Sequence, residues 1–225
     1  MPSPLQPLNT YIDHTLLRPD ATETQIRKLC AEADTHQFAA VCVPPCYVNL
    51  AFELLNNTRV NVASVVGFPL GYTTFTNKVN ECHDVIARGA NEIDAVLNIA
   101  ALKTGNTDFV FKELMALSDV CKAGQAKLKV IIETALLTPA EIEEACQLCA
   151  QAGADMVKTS TGFASRGATL ADVQLMRRVL PEKVKIKAAG GIKTYTLAKQ
   201  LIEAGADRIG TSSGLQLMEE WHLDS

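Results

Sequence analysis

No apolar run in this 225-residue chain approaches the roughly 18 residues of a membrane-spanning helix, so no transmembrane segment is expected. The first residues, Met1-Pro2-Ser3-Pro4-Leu5-Gln6, lack the basic and apolar regions of a secretory signal, and a cytoplasmic location is the expectation. Neither sign of charge dominates. The formal net charge is −4, which does not suggest a nucleic-acid or anionic-membrane surface, so neither partner is expected. An anionic small molecule would need a local site. No linker rich in Pro, Ser or Gly divides the sequence, and residues 1–225 read as a single domain. Metal-ligand spacing is also missing. The seven Cys include Cys42 and Cys46, four apart, and the pair Cys146-Gln147-Leu148-Cys149, but His14, His36, His83 and His222 complete no ligand set. The C-x-x-C lies inside a helical segment, not at its start, where a redox pair gains its low pKa. Reduced, structural thiols are the natural reading, and neither a metal nor a cofactor is expected.

What is present is an alternating pattern. Hydrophobic residues make up 48% and charged residues 20%, the balance of a globular chain. Three segments repeat one unit: Gly89-Ala90-Asn91-Glu92-Ile93-Asp94, Gly153-Ala154-Asp155-Met156-Val157-Lys158 and Gly205-Ala206-Asp207-Arg208-Ile209-Gly210. Each reads as a helix ending at Gly and a strand beginning. The position five after the Gly holds Asp94, Lys158 and Gly210, which should project at one level of a sheet. Thr22-Glu23-Thr24-Gln25 is a capping box, and Thr138-Pro139-Ala140-Glu141 supplies an N-cap, a Pro and a Glu in the right order. Segments 169–180 and 194–204 read as further helices. Strands are expected near 11–13, 38–43, 61–66, 92–97, 128–132, 154–158, 184–187 and 207–210. Eight strands alternating with helices suit an α/β fold of the (β/α)8 TIM-barrel kind, with an additional N-terminal helical segment. An open doubly wound sheet is the alternative, but no G-x-G-x-x-G follows the first strand.

Two lysines stand out because Lys is almost never fully buried unless paired. Lys158 closes one short apolar strand and opens Thr159-Ser160-Thr161-Gly162; Lys187 closes another and leads into Gly190-Gly191. A nearby cation and desolvation both push a lysine pKa down from about 10.4. A neutral amine is the nucleophile that Schiff-base chemistry needs. Strand alternation puts Ile93, Ala95 and Leu97 towards the helices and Asp94 inward. Val184 and Ile186 likewise leave Lys187 inward, and Lys158 shares a face with Met156. Asp94, Lys158 and Lys187 therefore converge on the barrel axis as candidate catalytic groups. Their rival role is a structural ion cluster, which would stabilise only weakly.

Gly190-Gly191-Ile192-Lys193 follows the seventh strand and Gly210-Thr211-Ser212-Ser213-Gly214 the eighth. Loops at these places commonly hold phosphate on backbone N–H groups. Tight glycine turns alone are the plainer alternative.

With these residues in hand, the chain strongly resembles the deoxyribose-phosphate aldolases, class I aldolases on a TIM barrel. The resemblance runs from Tyr11-Ile12-Asp13-His14-Thr15-Leu16-Leu17 to Gly210-Thr211-Ser212-Ser213-Gly214. It takes in Val65-Val66-Gly67-Phe68-Pro69-Leu70-Gly71, Glu92 to Ile99, Lys129-Val130-Ile131-Ile132-Glu133-Thr134, Val157 to Phe163 and Ile186 to Ile192. It implies reversible cleavage of 2-deoxy-D-ribose 5-phosphate to acetaldehyde and D-glyceraldehyde 3-phosphate, without metal. It implies that Lys158 forms the Schiff base, Lys187 holds down its pKa and helps move protons, and Asp94 relays protons through a water. It places the phosphate on Gly162, Gly190, Gly191, Gly210, Ser212 and Ser213. Ala189 stands where a Ser is common and Lys193 where an Arg is common. Arg166 lies in a loop that is often Gly-rich and is a candidate phosphate contact. No Tyr follows Tyr195, although some relatives carry a C-terminal Tyr proposed to move a proton. A homodimer is left open as the assembly. Other lysine-imine barrels, such as transaldolase-like enzymes, and a catalytically silent phosphosugar-binding barrel are the competing readings.

Overall fold

The computed structural model describes residues 6–224. A single 3-10 turn, Leu8–Tyr11, precedes the first strand and is the only N-terminal helical segment among the described residues; Met1 to Leu5 lie outside them. Eight strands then alternate with helices: β1 (Ile12–Thr15), α1 (Glu23–His36), β2 (Ala40–Val43), α2 (Val48–Leu55), β3 (Asn61–Val66), α3 (Phe75–Ala87) and β4 (Glu92–Val96). The second half continues with α4 (Ile99–Lys103), α5 (Thr107–Ala123), β5 (Lys127–Ile131), α6 (Pro139–Gln151), β6 (Met156–Lys158), α7 (Leu170–Val179), β7 (Lys185–Ala189), α8 (Tyr195–Glu203), β8 (Arg208–Thr211) and α9 (Gly214–Asp224). Every strand pairs in parallel with its neighbours, and β8 pairs with β1 to close the barrel. The chain is therefore a (β/α)8 barrel, as expected.

The repeated Gly-Ala-Asn/Asp unit has a complete hydrogen-bonding explanation. Gly89, Gly153 and Gly205 take positive φ values of 109°, 81° and 114° just past α3, α6 and α8. The next residue, Ala90, Ala154 or Ala206, donates its N–H to the carbonyl five residues back, at 3.0 Å in each case. This is the Schellman turn, which satisfies carbonyls the helix leaves open. The third residue then caps the neighbouring strand. Asn91 Oδ1 accepts from Val62 N–H at 3.0 Å, Asp155 Oδ2 from Leu128 at 2.8 Å and Asp207 Oδ2 from Ile186 at 2.9 Å. Their own N–H groups bond back to the same three residues. The same turn follows α1 and α5, where Gln37 and Gln125, at φ 53° and 56°, take the left-handed position that Gly holds elsewhere.

Threonine caps five helices, and Asn98 and Asn106 cap α4 and α5. Thr22 and Thr138 form full capping boxes with Gln25 and Glu141, while Thr74, Thr169 and Thr194 each accept the third helical N–H. The apolar core lies between strands and helices. Ile93, Ala95, Leu97, Leu128, Val130, Val157, Ile186 and Ile209 belong to it from the strand side. The barrel interior has a separate small apolar patch of Ala40, Cys42, Ala63 and Val65. All seven cysteines are free and all but Cys46 are buried.

Asp155→Ala deletes the acceptor of one strand-starting N–H and touches nothing in the barrel interior. It should lower stability by about 1 kcal/mol in urea unfolding and leave turnover per folded molecule unchanged. A variant as stable as the parent would show that the Asn/Asp position is decorative.

Candidate active site

Strand alternation brings seven ionisable side chains into the barrel: Asp13 (β1), Glu92 and Asp94 (β4), Lys129 (β5), Lys158 (β6), Lys187 (β7) and Arg208 (β8). Asp94 is the hub. One oxygen takes Lys129 Nζ at 2.9 Å, and the other takes Lys158 Nζ at 2.8 Å and Lys187 Nζ at 2.7 Å. Lys187 also meets Asp13 at 2.5 Å, and Lys129 meets Glu92 at 2.6 Å. Arg208 donates Nε to Asp13 at 2.7 Å and spans to Glu92 at 3.1 Å. All seven side chains are largely or wholly buried.

The hydrogen-bond ladder pairs Asp94 with Lys129 and then Lys129 with Met156, so Lys158 sits two residues further along its strand. The expectation that Asp94 and Lys158 lie level in the ladder is therefore corrected. Strand tilt in a closed barrel still lets the two side chains meet. The level partner of Lys158 is Lys187, and that of Lys187 is Arg208.

The charges are not equivalent. Burial alone would raise the Asp94 pKa, but Lys129, Lys158 and Lys187 overcome it and hold the carboxyl well below the usual range. Asp13 is likewise lowered, by Arg208, Lys187 and Lys129 against burial. Burial alone would lower Lys187, but Asp13 and Asp94 reverse this and raise it. Lys129 is raised well above normal by Asp94, Glu92 and Asp13 against burial. Lys158 goes the other way. Burial lowers its pKa, Asp94 opposes, Lys187 lowers it further, and the net shift is downward. Burial is thus the larger cause and Lys187 the supplement. Four bases face three acids in this cluster, so the ions balance only when one base is neutral, and Lys158 is the one with the lowered pKa.

Lys158 is also the member of the trio that reaches a cavity. A pocket of about 380 Å³ opens at the C-terminal ends of the strands, with Lys158 in its wall. Gly162, Gly190, Gly191, Gly210 and Ser212 line it, together with Arg18, Phe163 and Lys193. Asp94 and Lys187 lie behind Lys158 and are fully buried. Gly190 (φ 88°) is held so close to Gly167 that a Cβ added to Gly167 would lie 1.9 Å from the Gly190 carbonyl oxygen. The loop after β7 therefore has bare backbone at the wall. Gly210 is less tightly confined: a Cβ there would lie 3.0 Å from Lys187 Cε and from Ala189 Cβ.

Two sequence expectations do not reach the cavity. Ser213 is not on its wall; its N–H goes to Thr211 Oγ1 at 2.9 Å and its carbonyl begins α9. Arg166 is tied to the Asp172 carboxylate and donates to the Thr134 carbonyl at 2.9 Å, so its guanidinium braces the loop after β6.

A model of the DeoC/LacD family aldolases matches residues 8–220. The chain belongs to that aldolase family. It is 51% identical over 211 residues to a deoxyribose-phosphate aldolase of Caldanaerobacter subterraneus subsp. tengcongensis, covering 93% of this chain and 91% of the relative. A Streptococcus suis deoxyribose-phosphate aldolase is 52% identical over 217 residues, covering 96% and 98%. Among solved structures, the tetrameric deoxyribose phosphate aldolase of Aeropyrum pernix superposes with a TM-score of 0.90 at 33% identity, covering 97% of this chain and 92% of that one.

Of the seven interior ions in this aldolase-family barrel, Asp94, Lys158 and Lys187 are expected from the sequence, and Asp13, Glu92, Lys129 and Arg208 join them. The signal was there. Leu128 and Val130 face the helices, which turns Lys129 inward, and Ile12 and Ile209 do the same for Asp13 and Arg208.

The lowered pKa should make Lys158 the more reactive amine. Reductive methylation with limiting formaldehyde near pH 7, followed by peptide mass mapping, should label Lys158 ahead of solvent-exposed Lys28 and Lys193. Preferential labelling of the exposed lysines would contradict the charge assignment.

Proposed function

We propose that this chain cleaves 2-deoxy-D-ribose 5-phosphate reversibly to D-glyceraldehyde 3-phosphate and acetaldehyde through a Schiff base on Lys158. The observation that carries this reading is the lowered pKa of an amine that opens onto a cavity lined by glycine turns. The names of the relatives supply the substrate.

The geometry suits each step. The neutral Lys158 amine adds to the substrate's C1 carbonyl, and the carbinolamine loses water to give an iminium. A base then takes the C3 hydroxyl proton, the C2–C3 bond breaks, and its electron pair moves into the iminium to form an enamine. D-Glyceraldehyde 3-phosphate leaves. The enamine gains a proton at C2 and hydrolysis releases acetaldehyde, restoring the amine. Asp94, 2.8 Å from Lys158, is the proposed proton relay, through a water; Lys187, 2.7 Å from Asp94, joins the proton transfer. The phosphate is proposed to lie on the backbone of Gly162, Gly190, Gly191 and Gly210 and on Ser212, with Lys193 adding charge. Ser213 is retained only as the residue that starts α9 beside that site.

Residues 1–225 are proposed to act as one domain and, as an assembly, a homodimer; the Aeropyrum relative is described as tetrameric. No helix among the described residues is long and apolar enough to cross a membrane. The cytoplasm is the proposed compartment, in keeping with seven free thiols.

The decisive experiment is borohydride reduction in the presence of deoxyribose 5-phosphate, with peptide mapping and assay of acetaldehyde. The adduct should fall on Lys158 and acetaldehyde should form. A silent binding barrel would give neither; another lysine-imine aldolase would give different products; an adduct on Lys187 or Lys193 would reverse the assignment.

Lys187→Leu removes a cation that lowers the Lys158 pKa and leaves three bases facing three acids. Lys158 should then hold its proton to higher pH. The acid limb of kcat/KM should move upward in pH, and activity near pH 7 should fall by about tenfold or more. Lost activity with an unmoved limb would assign Lys187 to proton transfer or positioning instead.

A further inference from the structure

Behind the cavity wall, three consecutive residues after β5 grip the segment that carries Lys158. Ile132 donates its N–H to the Lys158 carbonyl at 3.0 Å, and Thr134 donates to the Thr159 carbonyl at 2.9 Å. Between them, Glu133 leaves the strand direction altogether, at φ 54° and ψ 68°. That left-handed region is unfavourable for a residue with a Cβ. The turn aims the Glu133 side chain at the loop after β6. Its Oε2 accepts the Thr161 N–H at 3.1 Å and also the Thr161 hydroxyl. The Thr161 oxygen in turn accepts the Phe163 N–H at 3.1 Å. Glu133 is only 3% exposed, and its Oε1 has no partner among the described residues.

Left-handed backbone and a buried, half-satisfied carboxylate both cost stability. What they achieve is the shape of one turn. Thr161 and Gly162 (φ 88°) line the cavity, and a Cβ built on Gly162 would meet only the Gly190 Cα, at 3.8 Å. The two glycine turns therefore face each other, and Glu133 sets the position of one of them from the rear.

We propose that Glu133 is a positioning residue for phosphate binding: its carboxylate fixes the Thr161–Gly162 turn opposite Gly190, so that the turn presents bare backbone to the substrate's phosphate. This deepens the proposed function and rests on it. Glu133 is not on the cavity wall and touches no substrate atom itself. The effect should therefore appear in recognition of the phosphate and not in the bond-breaking step.

The test compares deoxyribose 5-phosphate with unphosphorylated 2-deoxyribose in Glu133→Ala, Glu133→Gly and Glu133→Gln. In the Ala and Gly variants KM for the phosphorylated sugar should rise about tenfold or more, with kcat/KM for the unphosphorylated sugar held within about threefold. Glu133→Gln keeps an acceptor for the Thr161 N–H and should recover most of the loss. The Gly variant relieves the left-handed backbone, so it should melt no lower than the Ala variant, and it carries the test if the Ala variant fails to fold. Equal losses on both sugars, or an unchanged KM in every variant, would overturn the assignment. If the parent protein cleaves neither sugar, the functional reading falls instead. Calorimetric titration with inorganic phosphate then decides: about tenfold weaker binding in Glu133→Ala supports the role of Glu133, and unchanged binding overturns it.

Discussion

The barrel interior must hold three acids and four bases away from water, and most of the remaining structure serves that requirement. An isolated buried ion is prohibitively unfavourable, and even paired buried ions stabilise little or not at all. Asp94 solves the local problem by accepting from three lysines, and Asp13, Glu92 and Arg208 close the network below it. The network cannot be what holds the protein together. That task falls to the continuous apolar layer between strands and helices, where Ile93, Leu128, Val157 and Ile186 point away from the ions. Period-two alternation lets one strand do both jobs at once: its outward residues stabilise and its inward residues are free for chemistry.

Precision in the interior also depends on where each strand begins. The Schellman turns and the Asn91, Asp155 and Asp207 contacts tie down the N-terminal end of the barrel by joining β3 to β4, β5 to β6 and β7 to β8. The opposite end carries the loops with unusual backbone: Gly162, Gly190 and Gly191 at positive φ, and Glu133 alongside them. Rigidity at one end and shaped loops at the other is the division of labour that this architecture permits.

Much of this was legible in the residues. Threonine caps, Gly-Ala-Asn/Asp units and alternating apolar positions specify eight strands and their helices, with boundaries off by a residue or two: β1 starts at Ile12 and not at Tyr11, and β6 at Met156 and not at Ala154. Lys158 and Lys187 were visible because a strand-end lysine before a glycine turn is conspicuous. Lys129 and Arg208 were not singled out because each follows the start of its strand by two residues or fewer, where a charge usually reads as a solvated edge. Their burial is a property of the closed ring, since only neighbours on both sides show that no solvent reaches them. Arg166 needed its partner, since nothing local says that a guanidinium in a polar loop will be spent on Asp172. Glu133 was hidden for a different reason: its left-handed backbone is imposed by tertiary contacts on a residue type that does not advertise it.

The excess of one base in the interior has a chemical consequence beyond lowering the pKa of one amine. In the proposed reaction, a protonated Schiff base on Lys158 would put a fourth cation back among three acids and return the cluster to the unbalanced state. Forming the enamine removes that charge and rebalances the ions. The surroundings therefore favour the flow of an electron pair towards nitrogen, which is the flow that carbon–carbon bond cleavage requires. In that proposed reaction, the barrel's buried cations would act on the substrate through space as an electron-withdrawing substituent does.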